Sequence, residues 1–185
     1  AFIAWSSVFI AVLGFAVWAH HMFQVGSPLS VDTFFAAASM VIAVPTGIKI
    51  FNWIGTLWGG ALKLTSAMLF ALGFIAMFVI GGLSGVMLAV VPVNWQVHDT
   101  YFVVAHLHYV LFGGSVFGFF AGFYYWYPKL MGRKMNETLG KIHFWIQVVG
   151  FNLTFFGMHI VGLLGMPRRI YTYASGQGWD AYNLL

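Results

Sequence analysis

The chain has no cysteine and very little charge. Without Cys in its 185 residues, disulfides, iron–sulfur clusters and thiolate ligation of a metal are excluded. Charged residues make up 6%, against about 25% in soluble domains. A chain of this size with so few charges cannot cover its own surface with polar groups, so it belongs in lipid. Alternating polar and apolar positions are missing, which excludes a transmembrane barrel, and neither an internal repeat nor a low-complexity tract is visible. The opening residues carry no basic leader segment or cleavage site. They begin at Ala1 already inside an apolar run, so the chain reads as a piece of a longer protein.

Apolar residues take up 61% of the sequence and aromatics 19%, including 20 Phe and 8 Trp, and the mean hydropathy is +0.89. Five apolar stretches are long enough to cross a bilayer, which takes about 20 helical residues: residues 1–19, 33–57, 66–91, 100–127 and 138–164. Between them lie Gly26-Ser27-Pro28, Gly59-Gly60, residues 92–94, residues 128–133 and Gly165-Met166-Pro167, all turn formers. The fold class is therefore all-α, a polytopic transmembrane helix bundle with five spans.

Basic residues orient the bundle. Lys63 sits in the second loop, and Lys129, Arg133 and Lys134 in the fourth, with Lys141 just beyond; the first and third loops have no Lys or Arg. The even loops are then cytoplasmic. Arg168 and Arg169 break the rule by falling on the outer side, and such a violation indicates a specific anionic partner. The aromatics lie inside apolar spans and not among the basic residues, so nucleic acid is not a partner.

Five of the seven histidines fall at the outer ends of spans: His20, His21, His98, His106 and His108. Ionisable groups in membrane spans are expensive and functional by default. His106 and His108 are two residues apart, so on a helix their side chains diverge by about 200° with about 3 Å of rise. They cannot share one metal. They suit one helix separating two cofactors, each taking an imidazole, and haem iron is the natural acceptor of a neutral imidazole. His20 and His21 are adjacent and diverge by about 100° on a regular helix, so joint ligation of copper, zinc or iron asks for local unwinding, with which Gly26 and Pro28 are compatible. Facing lipid headgroups is the alternative for this pair. His98-Asp99 opens the fourth stretch; Asp99 can cap that helix, or the two can hold a hard cation such as magnesium through oxygen and water. His143 and His159 read as structural.

Lys49 lies deep in the second stretch, with Thr46 three residues before it and Asn52 three after, so the three share a helix face. A charge at the centre of a lone span costs about 2.5–3.5 kcal/mol on the insertion scale. A polar stripe rising from the cytoplasmic side towards the histidine layer has the form of a proton path; a lysine snorkelling to the interface is the plainer alternative.

Four motifs, in order, resemble the haem-copper oxidase superfamily, and within it subunit I of the cytochrome c oxidases: Trp18-Ala19-His20-His21-Met22-Phe23, the run from Ile42 to Lys49, the run from His98 to Tyr109, and Gly165-Met166-Pro167-Arg168-Arg169. The resemblance covers essentially the whole chain and implies a larger bundle of the twelve-helix type. It implies that His20 and His21 are two of the three copper ligands of the oxygen-reducing centre, that His106 is the axial ligand of the high-spin haem and that His108 is an axial ligand of the low-spin haem. By the same resemblance His98 and Asp99 belong to a magnesium site shared with subunit II, Thr46 and Lys49 to a lysine proton channel, and Arg168 and Arg169 to the haem propionates. The implied partners are subunits II and III, cytochrome c as electron donor, O2 and the lipid of a bacterial cytoplasmic membrane.

The family's third copper histidine, its crosslinked tyrosine, the second low-spin ligand and the carboxylate proton channel lie outside these residues, so the isolated fragment is expected to be inactive. Asn94 stands where many members carry Asp. Quinol oxidases of the superfamily tend to have Asn after the magnesium-site His, Asn after the second His of the His-x-His pair, and Thr before the Arg pair. Asp99, Tyr109 and Pro167 therefore point to cytochrome c. A nitric oxide reductase has no use for a lysine channel. From another class, a transporter with relay groups would break its helices at the midplane and show repeat symmetry, and no repeat is visible.

Overall fold

Long uninterrupted apolar sequence leaves the backbone no hydrogen-bond partner but itself, and helices result. The computed structural model describes residues 1–183. Its helices are α1 (Phe2–Gly14), α2 (Leu29–Val41), α3 (Ala43–Leu57), α4 (Ser66–Ala89), α5 (Val91–Val97), α6 (Tyr101–Val110), α7 (Phe117–Met131), α8 (Glu137–Leu163) and the short α9 (Asp180–Asn183). A 3-10 turn covers Trp18–Met22, and a π-helical turn, Leu111–Val116, joins α6 to α7. Among the described residues four helical stretches are long and apolar enough to cross a membrane: Leu29–Leu57, Ser66–Ala89, Tyr101–Met131 and Glu137–Leu163. The first expected stretch forms a shorter apolar helix, Phe2–Gly14.

Several boundaries differ from the sequence reading for identifiable reasons. The second stretch starts at Leu29, because Pro28 supplies an extended N-cap, and it is interrupted at Ile42 between α2 and α3. Pro92, read as punctuation, instead occupies the first turn of α5, where its missing N–H costs nothing. Pro128 does not stop α7, which runs one turn further to a left-handed Gly132. Asp99 is not the cap of α6: Thr100 is, its side chain accepting from the Phe102 N–H at 3.2 Å.

The chain divides into two compact units. In the first, Ala1–Leu62 with Gly82–His98, α1 packs on α3 and the 3-10 turn on α2. The Trp95 indole donates to the Phe23 carbonyl at 3.1 Å, and Gln24 Nε2 donates to the Trp95 carbonyl at 2.9 Å. These two bonds tie the segment after the His pair to α5.

The second unit comprises Lys63–Gly81 and the residues from Asp99 onward. Its core is aromatic: Phe70, Met77, Tyr109, Phe117, Phe144 and Phe151. Tyr109 has no exposed surface and donates its hydroxyl to Asn152 Oδ1 at 2.7 Å. Asn152 Nδ2 donates in turn to the Val148 carbonyl at 2.7 Å. Buried hydroxyls need such a partner, and this one links α6 to α8. At its far end α4 is closed by Glu137, whose Oε2 accepts from the Ser66 N–H at 2.8 Å and the Ser66 hydroxyl at 2.9 Å, placing a carboxylate where the helix dipole favours one.

Two glycines allow α6 its close approaches. A Cβ on Gly81 would lie 2.9 Å from the Tyr109 carbonyl carbon and the Val110 nitrogen, and a Cβ on Gly162 would overlap the Phe102 backbone. Backbone cannot move aside as a side-chain tip can. Gly162→Ala should therefore destabilise by 1–3 kcal/mol or more, the usual range for overpacking, read as a lowered Tm of the purified full-length protein. An unchanged Tm would mean that α6 and α8 do not meet there.

Candidate metal and haem sites

His106 and His108 sit one turn before the end of α6, and their imidazoles are held by different means. His106 Nδ1 lies 2.9 Å from the Gly81 carbonyl of α4. His108 Nδ1 lies 2.8 Å from the Val104 carbonyl of its own helix, and its ring stacks on Phe155 of α8 with centroids 4.0 Å apart and planes within 14°. One imidazole is thus engaged by α4 and the other by α8, as the two-residue spacing requires. A carbonyl only accepts, so each Nδ1 carries a proton, and in the neutral imidazole the lone pair is then on Nε2. That arrangement fixes tautomer and ring orientation in metal-ligating histidines.

His20 and His21 lie in the 3-10 turn, so the α-helix is unwound at this point. Their Nε2 atoms are 3.0 Å apart. The Ser39 hydroxyl donates to the Phe35 carbonyl at 2.6 Å and so accepts from His20 Nδ1, 2.8 Å away. In the neutral imidazole the lone pair of His20 is then on Nε2, the atom on which His21 Nε2 converges.

Arg168 meets Asp99 of the His98-Asp99 motif. Arg168 Nη2 lies 2.6 Å from Asp99 Oδ1, and the backbones of the two segments pair: Tyr101 N–H donates to the Met166 carbonyl at 3.0 Å and Arg168 N–H to the Asp99 carbonyl at 2.9 Å. The anionic partner that the topology demanded is, for Arg168, partly within the chain. Arg168 Nε is nevertheless buried with no hydrogen-bond partner among the described residues. The Arg169 side chain is exposed. Asp99 and Arg169 both have left-handed backbone, φ 54° and 65°. His98 ends α5, its N–H donating to the Asn94 carbonyl at 2.7 Å.

On α3, Thr46 donates to the Ile42 carbonyl at 2.9 Å and Asn52 to the Ile48 carbonyl at 2.7 Å, both folded back on their own helix. Lys49 Nζ lies 5.2 Å above the Trp53 ring, a cation–π contact. His143 Nδ1 lies 3.1 Å from the Tyr124 hydroxyl, in keeping with a structural role. His159 is boxed by Phe102, Tyr109 and Phe156, with both ring nitrogens buried and unpartnered among the described residues. Phe155, Asn152, Gly81 and Ser39 were not singled out from the sequence. In an apolar chain Phe and Gly are common, and only the Asn at mid-span gave any signal.

Residues 1–185 match the family described as Cytochrome C and Quinol oxidase polypeptide I. The chain belongs to that family. It is 58% identical over 180 residues to cytochrome c oxidase subunit 1 of Alkalihalophilus pseudofirmus, covering 97% of this chain and 29% of the relative. With the Synechocystis protein of the same name the identity is 61% over 171 residues, 92% of this chain and 31% of the relative. Quinol oxidase subunit 1 of Bacillus subtilis is 52% identical over 180 residues, 97% of this chain and 28% of that protein. A haem-copper terminal oxidase dimer solved by cryo-electron microscopy shares the fold, with a TM-score of 0.76 at 21% identity over 93% of this chain and 36% of the solved one. This family member is an integral bacterial membrane protein of haem-copper oxidase type and spans under a third of the length of these curated relatives.

The residues present fit the family's haems and copper in general. Neutral imidazoles with Nδ1 saturated and Nε2 left as donor are what haem iron takes, and the buried unpartnered Arg168 Nε–H suits a carboxylate. Two imidazole nitrogens 3.0 Å apart have the separation of ligands on one ion with bonds of about 2.0 Å. No group of three or more His, Cys, Asp or Glu side chains that could hold a metal ion forms among the described residues. Magnesium needs several oxygen ligands; the carboxylate at this motif is Asp99, and its Oδ1 is already engaged by Arg168.

Substitutions at Asp99 separate charge from backbone. Asp99→Asn keeps a side chain that tolerates φ 54° and loses only a half-exposed ion pair, about 0.2–1 kcal/mol. Asp99→Val adds the left-handed penalty, a further 1–2 kcal/mol or so. Thermal unfolding of the full-length protein should rank Val well below Asn; equal losses would show that the turn is not what holds Asp99.

Proposed function

We propose that these residues are part of the catalytic subunit of a terminal oxidase that passes electrons from cytochrome c to O2 at a haem-copper centre, forming water and moving protons. The single observation that supports it best is the pair on α6: His106 and His108, each with Nδ1 on a backbone carbonyl, engaged by different neighbouring helices. His106 would ligate the high-spin haem and His108 the low-spin haem, each through Nε2, with α6 as the partition. His20 and His21 would supply two of the copper ligands. When bound, the haems and copper supply the redox chemistry and the place where O2 is reduced.

The chain's other residues bind, orient and deliver protons. Arg168 and Arg169 would hold haem propionates with charge-assisted hydrogen bonds that a lysine cannot duplicate. Lys49 would hold and release a proton at Nζ, with Thr46 beside it on α3. His98 and Asp99 would offer ligands to a magnesium ion completed by subunit II, Asp99 then sharing its carboxylate with Arg168 or releasing it. Subunit III is the remaining partner. Both compact units would belong to one transmembrane domain of the twelve-helix type, in a bacterial cytoplasmic membrane. A quinol oxidase is the second reading, favoured by the 52% identity to such a subunit. Asp99, Tyr109 and Pro167 support cytochrome c.

Membranes containing the full-length protein decide between the readings. The reduced-minus-oxidised spectrum should contain two haem signals, and oxygen uptake should be faster with reduced cytochrome c than with quinol. Uptake driven by quinol alone would establish the second reading, and membranes without haem would reject both.

A further inference from the structure

We propose that Phe155 and Asn152 of α8 are positioning residues that set the plane of the His108 imidazole. The inference rests on the reading of His108 as a ligand of the low-spin haem. A single metal–nitrogen bond leaves an imidazole free to turn about that bond, so the surrounding protein has to choose the plane. At His108 the choice is made by two contacts. The Nδ1–H bond to the Val104 carbonyl at 2.8 Å comes from the helix that carries the ring and moves with it. The stack on Phe155, at 4.0 Å and 14°, comes from a different helix and is the one of the two that defines the plane relative to α8.

Such a stack is only as fixed as the two helices that bear it. Phe155 packs on Phe151, 4.9 Å away, and Phe151 on Tyr109, also at 4.9 Å. Tyr109 follows His108 directly and is pinned by its hydroxyl to Asn152 Oδ1 at 2.7 Å. Asn152 precedes Phe155 by three residues, so the hydrogen bond and the stack leave neighbouring positions on one face of α8. The bond holds α6 from turning about its axis, and the stack then meets the imidazole at one angle. His106 has a different anchor, the Gly81 carbonyl of α4.

The orientation of axial imidazoles governs the g-anisotropy of a low-spin ferric haem, which gives a readout separate from turnover. In the full-length oxidase Phe155→Leu and Phe155→Met remove the flat face while keeping an apolar side chain. With haem content at the wild-type level, the low-spin electron paramagnetic resonance signal should broaden or split as the ring adopts more than one plane. Phe155→Tyr keeps the face and should retain the single wild-type signal. Asn152→Leu, which frees the Tyr109 hydroxyl, should broaden the signal in the same sense. Wild-type g-values in whichever of the Leu and Met variants assembles would overturn the proposal, as would a Tyr variant altered as much as these two. His108→Ala tests the underlying reading independently: survival of the low-spin signal there would remove His108 as its ligand, whatever the Phe155 variants do.

Discussion

An imidazole that offers Nε2 to a metal keeps its proton on Nδ1, and inside a membrane, where water is scarce, that N–H needs an acceptor from the protein. The close packing around the C-terminal half of α6 meets this requirement. His106 reaches a carbonyl of another helix, which demands that α4 come within touching distance, and Gly81 makes that approach possible. His108 uses its own helix for the hydrogen bond and another for the ring face, which demands the same closeness of α8, with Gly162 at the tightest point. Packing is what associates helices in lipid, and here one tight point, Gly81 against Tyr109 and Val110, lies beside the turn that presents the histidines. The π-helical turn that follows, with Gly113 against Met77, lies in a helix class met often at functional sites.

The same economy governs the chain beyond α8. Gly165 and Arg169 adopt left-handed backbone, the bridge between Thr100 and Pro167 aligns the segment with the start of α6, and Arg168 closes on Asp99. Two motifs that the sequence presents as separate are therefore one turn in space. Arg168 thus pairs with a carboxylate of the chain through Nη2, while its buried Nε–H has no partner among the described residues.

Much of this was legible in the sequence because lipid permits few solutions. Apolar length gave the helices, and the His-x-His spacing gave diverging imidazoles without any structure. Adjacent histidines called for unwinding, and His20 and His21 do lie in a 3-10 turn. What was not legible depends on partners rather than on pattern. Pro92 and Pro128 were read as breaks, but proline is harmless in a first turn and tolerable near a C-terminus where Gly132 closes the helix. Asp99 was read as a possible cap, but the residue after it has the backbone and hydroxyl for that task. Phe155 is one of 20 phenylalanines, and nothing in its neighbours in sequence marks it as the one stacked on His108.

Whether α6 is a partition between two cofactors is tested most directly by a structure of the full-length protein with its cofactors bound. The predicted result is one iron bonded to Nε2 of His106 and a second iron bonded to Nε2 of His108, with each Nδ1 still on its carbonyl. A single metal serving both residues, or ligation through Nδ1 at either, would contradict it.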